Sequence, residues 1–413
     1  MKKYKIIKKC RLCLGINLKT SFDLGKSPLC DQYVKKKYKQ IFFPLKLLLC
    51  SDCGFSQINC VVDKNYIYKN YIYETKSSIT LDRHFSKYAD VVSKKTNLQK
   101  NDLVLDIGSN DGMLLKKFKK KNYKVLGVEP AHAIAKIANK NGLKTINAFF
   151  DKKIVNKIIS SYKKPKIITM NNLFANVDNL NDFSNNLCDL VHANGTIVIE
   201  TSYMGYIFKN KIFDWIYHEH LSYFSINPLK SFFEKKSFKL YDLDISNSKG
   251  GSIRYYFTNK MNNFPITKLA KDLINYEKKN KMNSLNAFKK FKNKIDIQKK
   301  RVNSLLNKLK GNSIVGYGAS ATTTTLLSYF GIFKFFKYLI DDNPGKIGLY
   351  SPGYHIPVFS SKILKNNSPK VIVILAWRYK DIILKNLKML KKKYKIKKLL
   401  VIVPLPIIKS YNL

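Results

Sequence analysis

The stretch that decides the fold is Asp106-Ile-Gly-Ser-Asn-Asp-Gly112. It overlaps the apolar segment Leu103-Val-Leu-Asp-Ile107 and runs into helical periodicity at 112–121, so it predicts a strand, a tight turn and a helix. Gly108 lets the backbone approach a ligand closely, and a helix N-terminus follows directly. The stretch therefore predicts a ligand-binding turn at the carboxyl edge of a parallel sheet.

An acidic residue ends the next predicted strand. The segment Lys124-Val-Leu-Gly-Val128 leads to Glu129, 23 positions after Asp106, where a carboxylate can accept hydrogen bonds from ribose hydroxyls. A dinucleotide-binding turn would read Gly-x-Gly-x-x-Gly, whereas Asp106 and Asp111 would repel a pyrophosphate. The carboxylates instead suit a ligand with a sulfonium, an ammonium group and free ribose hydroxyls, which favours S-adenosylmethionine (SAM) over a turn that binds nothing. The predicted cofactor contacts are Asp106, Gly108, Asn110, Asp111, Glu129 and Asn171.

Strands and helices alternate onward from this turn. Further apolar strands are predicted at Lys166-Ile-Ile-Thr-Met170 and Gly195-Thr-Ile-Val-Ile-Glu200, and a further helix at 131–141. The alternation predicts an α/β fold with a doubly wound, Rossmann-like parallel sheet of the SAM-dependent methyltransferase type. Asn171 and Asn172 would lie at the same sheet edge, where their amides would meet the methionine carboxylate or the substrate, or would only close an Asx turn.

The chain of 413 residues, 45% of them hydrophobic, is long enough for several cores. Helical periodicity at 76–100 and 270–310 predicts one helix leading into the central sheet and one long amphipathic connecting helix. Four apolar strands from Ser313 onward predict a second, C-terminal Rossmann-like α/β sheet. The predicted division is a zinc-binding lobe at 1–75, a methyltransferase domain at 76–245, connecting strands and the long helix at 246–311, and a C-terminal α/β domain at 312–413.

The formal net charge of +49 suggests a nucleic-acid partner, but the distribution of the basic residues argues against one. Nearly all are lysines spread along the chain, whereas nucleic-acid readers concentrate arginine where bidentate contacts are needed. We therefore expect no dedicated nucleic-acid function. The few arginines are at positions 11, 83, 254, 301 and 378.

No run of 18 apolar residues occurs, so no membrane span is predicted. The basic N-terminus at 1–9 lacks an apolar core of signal-peptide length. We therefore expect a cytoplasmic protein with reduced thiols.

Two cysteine pairs near the N-terminus predict a metal site. Cys10-x-x-Cys13 and Cys50-x-x-Cys53 can each present two sulfurs to one tetrahedral zinc ion. Four sulfur ligands leave no open position, so the predicted Zn²⁺ is structural and stabilises a lobe with little core of its own. Disulfides are disfavoured in a reducing compartment.

The densest ionisable cluster is Asp214-Trp-Ile-Tyr-His-Glu-His220, followed by Leu-Ser-Tyr223. In an extended segment His218 and His220 would share a face. The residue types fit general acid–base chemistry, a His-x-His metal site, or a polar network that holds a loop, and the segment alone leaves all three open.

Taken together, these motifs resemble the nucleotide-sugar C-methyltransferases, of the sugar C-3-methyltransferase type that acts on keto-deoxysugars attached to a nucleoside diphosphate. The resemblance covers essentially the whole chain. The motifs that carry it are Cys10-x-x-Cys13 with Cys50-x-x-Cys53, Asp106 to Gly112, Gly127-Val-Glu-Pro130, Tyr217-His-Glu-His-Leu-Ser-Tyr223, Lys249-Gly-Gly-Ser-Ile-Arg254, Gly316-Tyr-Gly-Ala-Ser-Ala321, Asp341-Asp-Asn-Pro-Gly345 and Pro352-Gly-Tyr-His-Ile-Pro357.

The resemblance implies roles for catalytic residues. It makes His220 the base that forms an enolate, places Tyr217 and Glu219 against the sugar, and brings Tyr73, upstream of a Ser-Ser pair, into the active site. At Asn176 the chain departs from the family, which usually has a histidine there. Asn176 can form hydrogen bonds but cannot exchange protons near neutral pH.

The resemblance also implies that the C-terminal domain helps to hold the substrate nucleotide. The turn containing Gly318 and Ser320 would offer backbone amides to a diphosphate, with charge from Lys249 and Arg254, although it would also serve as a simple packing turn. The implied partner is a nucleotide-sugar substrate, and a monomer is favoured. Two alternatives stay open: an O- or N-methyltransferase on another surface-glycan precursor, because of Asn176, and a zinc-bearing RNA-binding protein or RNA methyltransferase, because of the charge.

Overall fold

The computed structural model describes residues 3–63, 66–67, 79–246 and 251–413. Tyr73 and Lys249 lie outside these residues. In the described part, strands β1 to β19, numbered in chain order, form four sheets. No helix among the described residues is long and apolar enough to cross a membrane.

Two small antiparallel sheets form the N-terminal lobe. The first pairs β1 (Tyr4–Ile6) with β5 (Cys60–Val62). The second contains β2 (Leu18–Ser27), β3 (Phe43–Cys50) and β4 (Ser56–Ile58). Strand β4 is not an edge strand of this sheet, because a strand from much later in the chain pairs with its other side.

That strand is β11 (Ser222–Tyr223), which pairs antiparallel with β4 so that Tyr223 lies opposite Ser56. The residues directly after the Tyr217–His220 segment are therefore part of the sheet of the N-terminal lobe. A two-residue strand has too little alternation to be read from sequence. The pairing anchors the ionisable segment against the cysteine-bearing lobe.

The central sheet has seven strands in the order β12-β13-β10-β9-β6-β7-β8. Strands β6 to β10 are parallel, as predicted, and the chain reverses direction across the sheet between β6 and β9. Strands β12 and β13 add an antiparallel hairpin, so the sheet is mixed rather than wholly parallel. The strands are β6 (Leu103–Ile107), β7 (Lys124–Val128), β8 (Thr145–Ile146), β9 (Ile167–Asn171), β10 (Thr196–Ser202), β12 (Phe238–Ser246) and β13 (Ser252–Asn259).

Helices alternate with the central strands because apolar residues recur at helical spacing between the turns. The helix predicted within 76–100 spans Ile79–Lys95, and its Phe85, Tyr88 and Val92 pack against the sheet. The other helices of this region are Met113–Lys119, His132–Lys140, Lys152–Tyr162, Leu180–Leu190, Met204–Asn210 and Ile226–Glu234.

The prediction of one long connecting helix is wrong, because the structure has two helices, Lys268–Lys279 and Leu285–Lys308. The break comes at Lys281, which has a positive φ of 46°, and at Ser284, whose hydroxyl accepts from the amide of Ala287 as an N-cap. Dense lysine and asparagine masked this capping signal in the sequence.

The C-terminal sheet has six strands in the order β16-β15-β14-β17-β18-β19. The four predicted apolar strands are present, and two short ones, β16 and β19, extend the two edges. The chain reverses direction between β14 and β17, which is where ligands bind in open α/β sheets. The strands are β14 (Ile314–Tyr317), β15 (Leu339–Ile340), β16 (Val358–Phe359), β17 (Val371–Ile374), β18 (Leu400–Val403) and β19 (Lys409–Asn412), with helices Ala321–Phe330 and Lys380–Lys393.

One hydrophobic cluster joins the lobes. It contains Leu47 of β3, Phe213 and Ile216 just before the ionisable segment, and Phe330 of the C-terminal domain. The rings of Phe213 and Phe330 are stacked with centroids 5.0 Å apart. Because their apolar cores are continuous, the lobes hold the Tyr217–His220 segment between them.

Candidate active site

A cavity of about 3030 Å³ runs from the carboxyl edge of the central sheet to that of the C-terminal sheet. The N-terminal lobe, the central domain and the C-terminal domain all contribute to its walls. Of the residues predicted for the site, those that line it are Asp106, Gly108, Asn110, Glu129, Asn171, Asn176, Tyr217, Glu219, His220, Arg254 and Ser320.

The glycine turn at the start of this cavity has the conformation that its sequence predicts. Gly108 has a φ of +70°, and a Cβ there would lie 3.1 Å from the Leu173 side chain. The Glu129 carboxylate accepts from the backbone amides of Asn110 and Ala131, at 3.0 and 2.9 Å. Asp111 is turned away from the cavity wall, and its Oδ1 atom accepts from the amide of Met113 at the start of the next helix.

Asp106 and Asn171 form an acceptor-rich patch beside the turn. Asp106 is 3% exposed and accepts from Thr169 Oγ1 at 2.7 Å. Burial raises the pKa of Asp106 to about 7, against hydrogen bonding from Thr169 that favours the ionised form. Among the described residues, the buried Oδ1 atom of Asn171 has no hydrogen-bond partner. The glycine turn therefore has a buried carboxyl group and an unpartnered acceptor beside it. Such a site fits a ligand with N–H and O–H donors, and SAM is such a ligand.

The four cysteines of the N-terminal lobe converge as predicted. Their sulfurs lie within 4.8 Å of one another, with Cys10 to Cys53 at 3.7 Å and Cys13 to Cys50 at 3.6 Å. Four sulfurs at about 2.3 Å from a tetrahedral zinc ion are separated by about 3.8 Å, so the cluster fits Zn²⁺. All four are free thiols.

The Tyr217–His220 segment is a tight turn rather than an extended strand. The amide of His220 donates to the carbonyl of Tyr217 at 3.0 Å. Because of this turn, His218 and His220 have different surroundings. His218 is buried, its Nε2 atom lies 3.2 Å from the carbonyl oxygen of Pro44, and burial lowers its pKa to about 4. Among the described residues, the group whose metal-ligand atoms converge is the four-cysteine cluster, not these histidines.

His220 is held by two neighbours on either side of its ring. The Nε2 atom lies 3.0 Å from the Tyr217 hydroxyl, and the Nδ1 atom lies 3.3 Å from the carbonyl oxygen of Trp215. A carbonyl only accepts, so the contact with Trp215 requires the proton on Nδ1. In the neutral ring Nε2 then carries the lone pair, which accepts from Tyr217.

Glu219 lies next to a salt bridge between two lobes. Lys346 of the C-terminal domain approaches Asp31 of the N-terminal lobe to 3.0 Å and also donates to the carbonyl of Ala319. Burial, reinforced by the charge of Asp31 and opposed by that of Lys346, raises the pKa of Glu219 to about 8. Glu219 is therefore mostly neutral at pH 7 and able to donate a hydrogen bond.

Asn176 lies beside the same turn. The amide of Leu221 donates to the carbonyl of Ala175 at 2.8 Å, which joins the short helix Phe174–Asn176 to the residue after His220. The Oδ1 atom of Asn176 is buried and has no partner among the described residues. A substrate donor can therefore satisfy it.

The expectation that Arg254 offers free positive charge is not met. Its guanidinium lies 2.7 Å from Glu200 and 3.0 Å from Asp244, and it stacks 3.7 Å from the ring centroid of Tyr88. Two carboxylates compensate its charge within the central sheet. All three partners lie outside the motif that contains Arg254, so the motif did not reveal them.

The C-terminal turn is also more self-contained than predicted. Gly318 has a φ of +110° and packs against Ala376, and it does not line the cavity. The amide of Ala319 donates to Asp341 at 2.7 Å, while Ser320 caps helix Ala321–Phe330. Most of the backbone amides of this turn, which were predicted to bind a diphosphate, therefore already donate hydrogen bonds within the domain. Ser320 nevertheless lines the cavity.

Two cations at this edge, Lys346 and Arg378, were not predicted from the sequence. Arg378 bonds the fully buried Asp214 at 2.9 Å and Thr322 at 2.7 Å, which bridges the central and C-terminal domains. The rarity of arginine in this lysine-rich chain could have drawn attention to Arg378. In such a chain an arginine indicates a position that needs its planar, bidentate guanidinium group.

The fold and this site define a SAM-dependent methyltransferase, and comparison with known proteins agrees. Residues 10–68 match the family model described as "Putative zinc binding domain", residues 81–243 match "Methyltransferase domain", and residues 247–406 match "C-methyltransferase C-terminal domain". The chain is therefore a SAM-dependent methyltransferase whose three parts match these three domains in order, and it uses SAM and a structural zinc ion.

A curated relative spans nearly the whole chain. It is the C-methyltransferase NovU of Streptomyces niveus, 26% identical over 386 residues, with 92% of each chain covered. Two solved structures that match each cover less than half of the chain. A SAM-dependent methyltransferase of Clostridium acetobutylicum ATCC 824 has 15% identity, covers 47% of this chain and 95% of its own, and gives a TM-score of 0.35. Magnesium protoporphyrin IX methyltransferase of Synechocystis PCC 6803, with bound SAH, has 10% identity, covers 47% and 91%, and gives the same TM-score of 0.35.

Proposed function

We propose that this C-methyltransferase acts on a keto-deoxysugar linked to a nucleoside diphosphate, with His220 as the base. The observation that carries the proposal is that His220 lines a cavity whose walls also include residues from the edges of two α/β sheets. One edge carries the glycine turn with Asp106, and the other carries Ser320 and Arg378. A substrate with a sugar at one end and a nucleotide at the other suits a cavity of this extent.

Methylation at carbon requires a nucleophilic carbon. A ketone beside the reacting carbon makes its C–H bond acidic enough for a histidine to remove the proton. The proton passes to Nε2 of His220, and the electron pair of the broken C–H bond is delocalised into an enolate, then becomes the pair of the new C–C bond. When bound, SAM supplies the electrophilic methyl group and leaves as S-adenosylhomocysteine.

The proposal for His220 is supported by its proton arrangement. The contact with Trp215 keeps the proton on Nδ1, so the lone pair of Nε2 points toward Tyr217 and is available in the uncharged ring. The substrate would take the place of the Tyr217 hydroxyl as the partner of Nε2. Tyr217 is buried, and burial raises its pKa well above the ordinary value, so it stays a neutral donor that can then bind a sugar oxygen.

Glu219 is proposed to stabilise the developing negative charge. A neutral carboxyl can donate to the ketone oxygen, and such a bond strengthens as that oxygen becomes an oxyanion. The unpartnered Oδ1 atom of Asn176 would accept from a sugar hydroxyl. Holding both substrates in line contributes much of the rate, up to about 7–11 kcal/mol in favourable cases.

The nucleotide end is proposed to lie against the C-terminal sheet. Lys346 and Arg378 line the cavity at that end, and each has N–H donors beyond those that contact Asp31 and Asp214, so they are proposed to bind there together with the predicted Lys249. Guanidinium groups bind phosphate oxygens in a bidentate manner, so Arg378 is the stronger candidate for the diphosphate.

The variant His220→Gln tests the assignment of the base. Turnover of a nucleotide-ketosugar should fall by roughly 10²–10⁴-fold, while affinity for S-adenosylhomocysteine stays within about twofold. His192→Gln is the matched control, because His192 is exposed and far from the cavity wall. Near-normal turnover in a folded His220→Gln protein would remove His220 from this role.

A further inference from the structure

A second histidine, in addition to the proposed base His220, lines the cavity. Among the described residues, one of its ring nitrogens has no hydrogen-bond partner. His84 belongs to helix Ile79–Lys95, and its Nε2 atom lies 2.8 Å from Glu200 Oε1. The side chain lines the cavity. Within the part of the chain that the structure describes, no hydrogen bond engages its Nδ1 atom.

Glu200 fixes which nitrogen of His84 carries the proton. The Glu200 side chain is 1% exposed, and its other oxygen accepts from Arg254 at 2.7 Å. Although burial opposes ionisation, hydrogen bonding from His84 and the charge of Arg254 lower the pKa of Glu200, so it is a carboxylate. A carboxylate accepts, which places the proton of the neutral imidazole on Nε2 and leaves Nδ1 as an acceptor.

The register of the sheet brings this acceptor to the cofactor end of the cavity. Glu200 is the direct partner of Asn171 on the neighbouring strand, and Asp106 is the partner of Thr169 two residues earlier. Residues paired across strands, and those two apart along a strand, share one face of the sheet. Asp106, Asn171 and Glu200 therefore face the side from which His84 approaches.

Three acceptors thus gather at one sheet edge: the Asp106 carboxyl group, the unpartnered Oδ1 atom of Asn171, and Nδ1 of His84. An α-ammonium group has three N–H donors and a positive charge. We propose that His84 accepts a hydrogen bond from the α-ammonium group of SAM, together with Asp106 and Asn171, and that Glu200 is the positioning residue that holds the ring.

Binding to the unliganded protein tests the role without any turnover. The probes are S-adenosylhomocysteine, its analogue lacking the α-amino group, and its analogue lacking the carboxylate, each titrated calorimetrically. His84→Ala should weaken binding of S-adenosylhomocysteine and of the decarboxylated analogue by roughly ten- to hundredfold, and leave the deaminated analogue unchanged. His84→Gln should recover part of the loss, because one amide can both donate to Glu200 and accept from an ammonium.

His192→Ala serves as the control, since His192 is exposed and outside the cavity. Circular dichroism at the titration temperature establishes that each variant is folded. Unchanged affinity in His84→Ala, an equal loss for all three ligands, or a loss confined to ligands that retain the carboxylate would each overturn the proposal. The equal loss would show a purely structural role, and the last result would assign His84 to the carboxylate.

Discussion

The Nε2 atom of His220 lies 3.0 Å from the hydroxyl oxygen of Tyr217, within the turn that the two residues close through their backbones. Their rings are also close, with centroids 4.2 Å apart. In the free protein this contact engages the lone pair of Nε2. Strand β11, directly after the turn, anchors the turn to the zinc-bearing lobe, so the geometry of the proposed base depends on that lobe as well as on the central domain.

The pH dependence of turnover should show whether the carboxyl group of Glu219 must be protonated for activity. Because its pKa is raised to about 8, Glu219 is protonated below that pH and loses its donor proton above it. We expect kcat/KM to fall as pH rises through about 8 in the wild type. In Glu219→Gln, which keeps a neutral donor, this alkaline fall should be absent, and a fall that persists in the variant would assign the titration to another group.

Asp106→Asn should separate stability from cofactor binding. The folded-state pKa of Asp106, about 7, is above the ordinary value near 3.9, so the stability it contributes is lost as pH rises from about 4 to 7. Without ligand at pH 8, the free energy of unfolding of Asp106→Asn should therefore exceed that of the wild type by roughly 2–4 kcal/mol. At pH 4 the two proteins should differ little. Denaturant titration measures both values. Calorimetry should show a large loss of affinity for S-adenosylhomocysteine, and intact affinity would contradict the cofactor assignment of Asp106.

Removal of zinc should disturb the active site as well as the lobe. Cys53→Ser should abolish the bound zinc seen by metal analysis and lower the thermal midpoint, because the four sulfurs connect the turn at Cys10–Cys13 to the end of strand β3 at Cys50. Turnover should fall too, since β4 pairs with β11 beside His220. Cys188→Ser is the control, because Cys188 is not one of the four cysteines whose sulfurs converge. A wild-type protein without zinc and insensitive to chelators would refute the metal site.

Arg378→Lys should raise KM for the nucleotide-sugar about tenfold and leave the affinity for S-adenosylhomocysteine unchanged. Lysine keeps the charge but cannot bridge Asp214, Thr322 and a phosphate with one planar fork. Arg301→Lys is the matched control, because Arg301 is exposed on a distant helix. An unchanged KM for the substrate in Arg378→Lys would exclude Arg378 from diphosphate binding.

The sheet edge proposed to bind the cofactor could be predicted from the sequence because its signals are local. Asp106 and Asn171 each end an apolar run of strand length, and parallel strands bring such ends together. The two cysteine pairs were equally readable, since each CxxC pair is set by its own short turn.

The parts that the sequence did not reveal depend on distant partners. Arg254 is neutralised by Glu200, 54 positions away, and a motif cannot show that pairing. No role was predicted for His84 from the sequence, because its proposed role depends on the register between strands β9 and β10. His218 and His220 were expected to share a face, but the segment folds as a turn whose conformation is set by the lobes around it.

The most direct test of carbon methylation through an enolate uses a panel of nucleoside-diphosphate ketosugars with methyl-labelled SAM, analysed by mass spectrometry and NMR. With S-adenosylhomocysteine in place of SAM, the same sugars are incubated in D₂O. We expect a methyl group on the carbon next to the ketone, and solvent deuterium entering at that carbon with the wild type but not with His220→Ala. A methyl group on oxygen or nitrogen, or deuterium exchange that does not need His220, would contradict it.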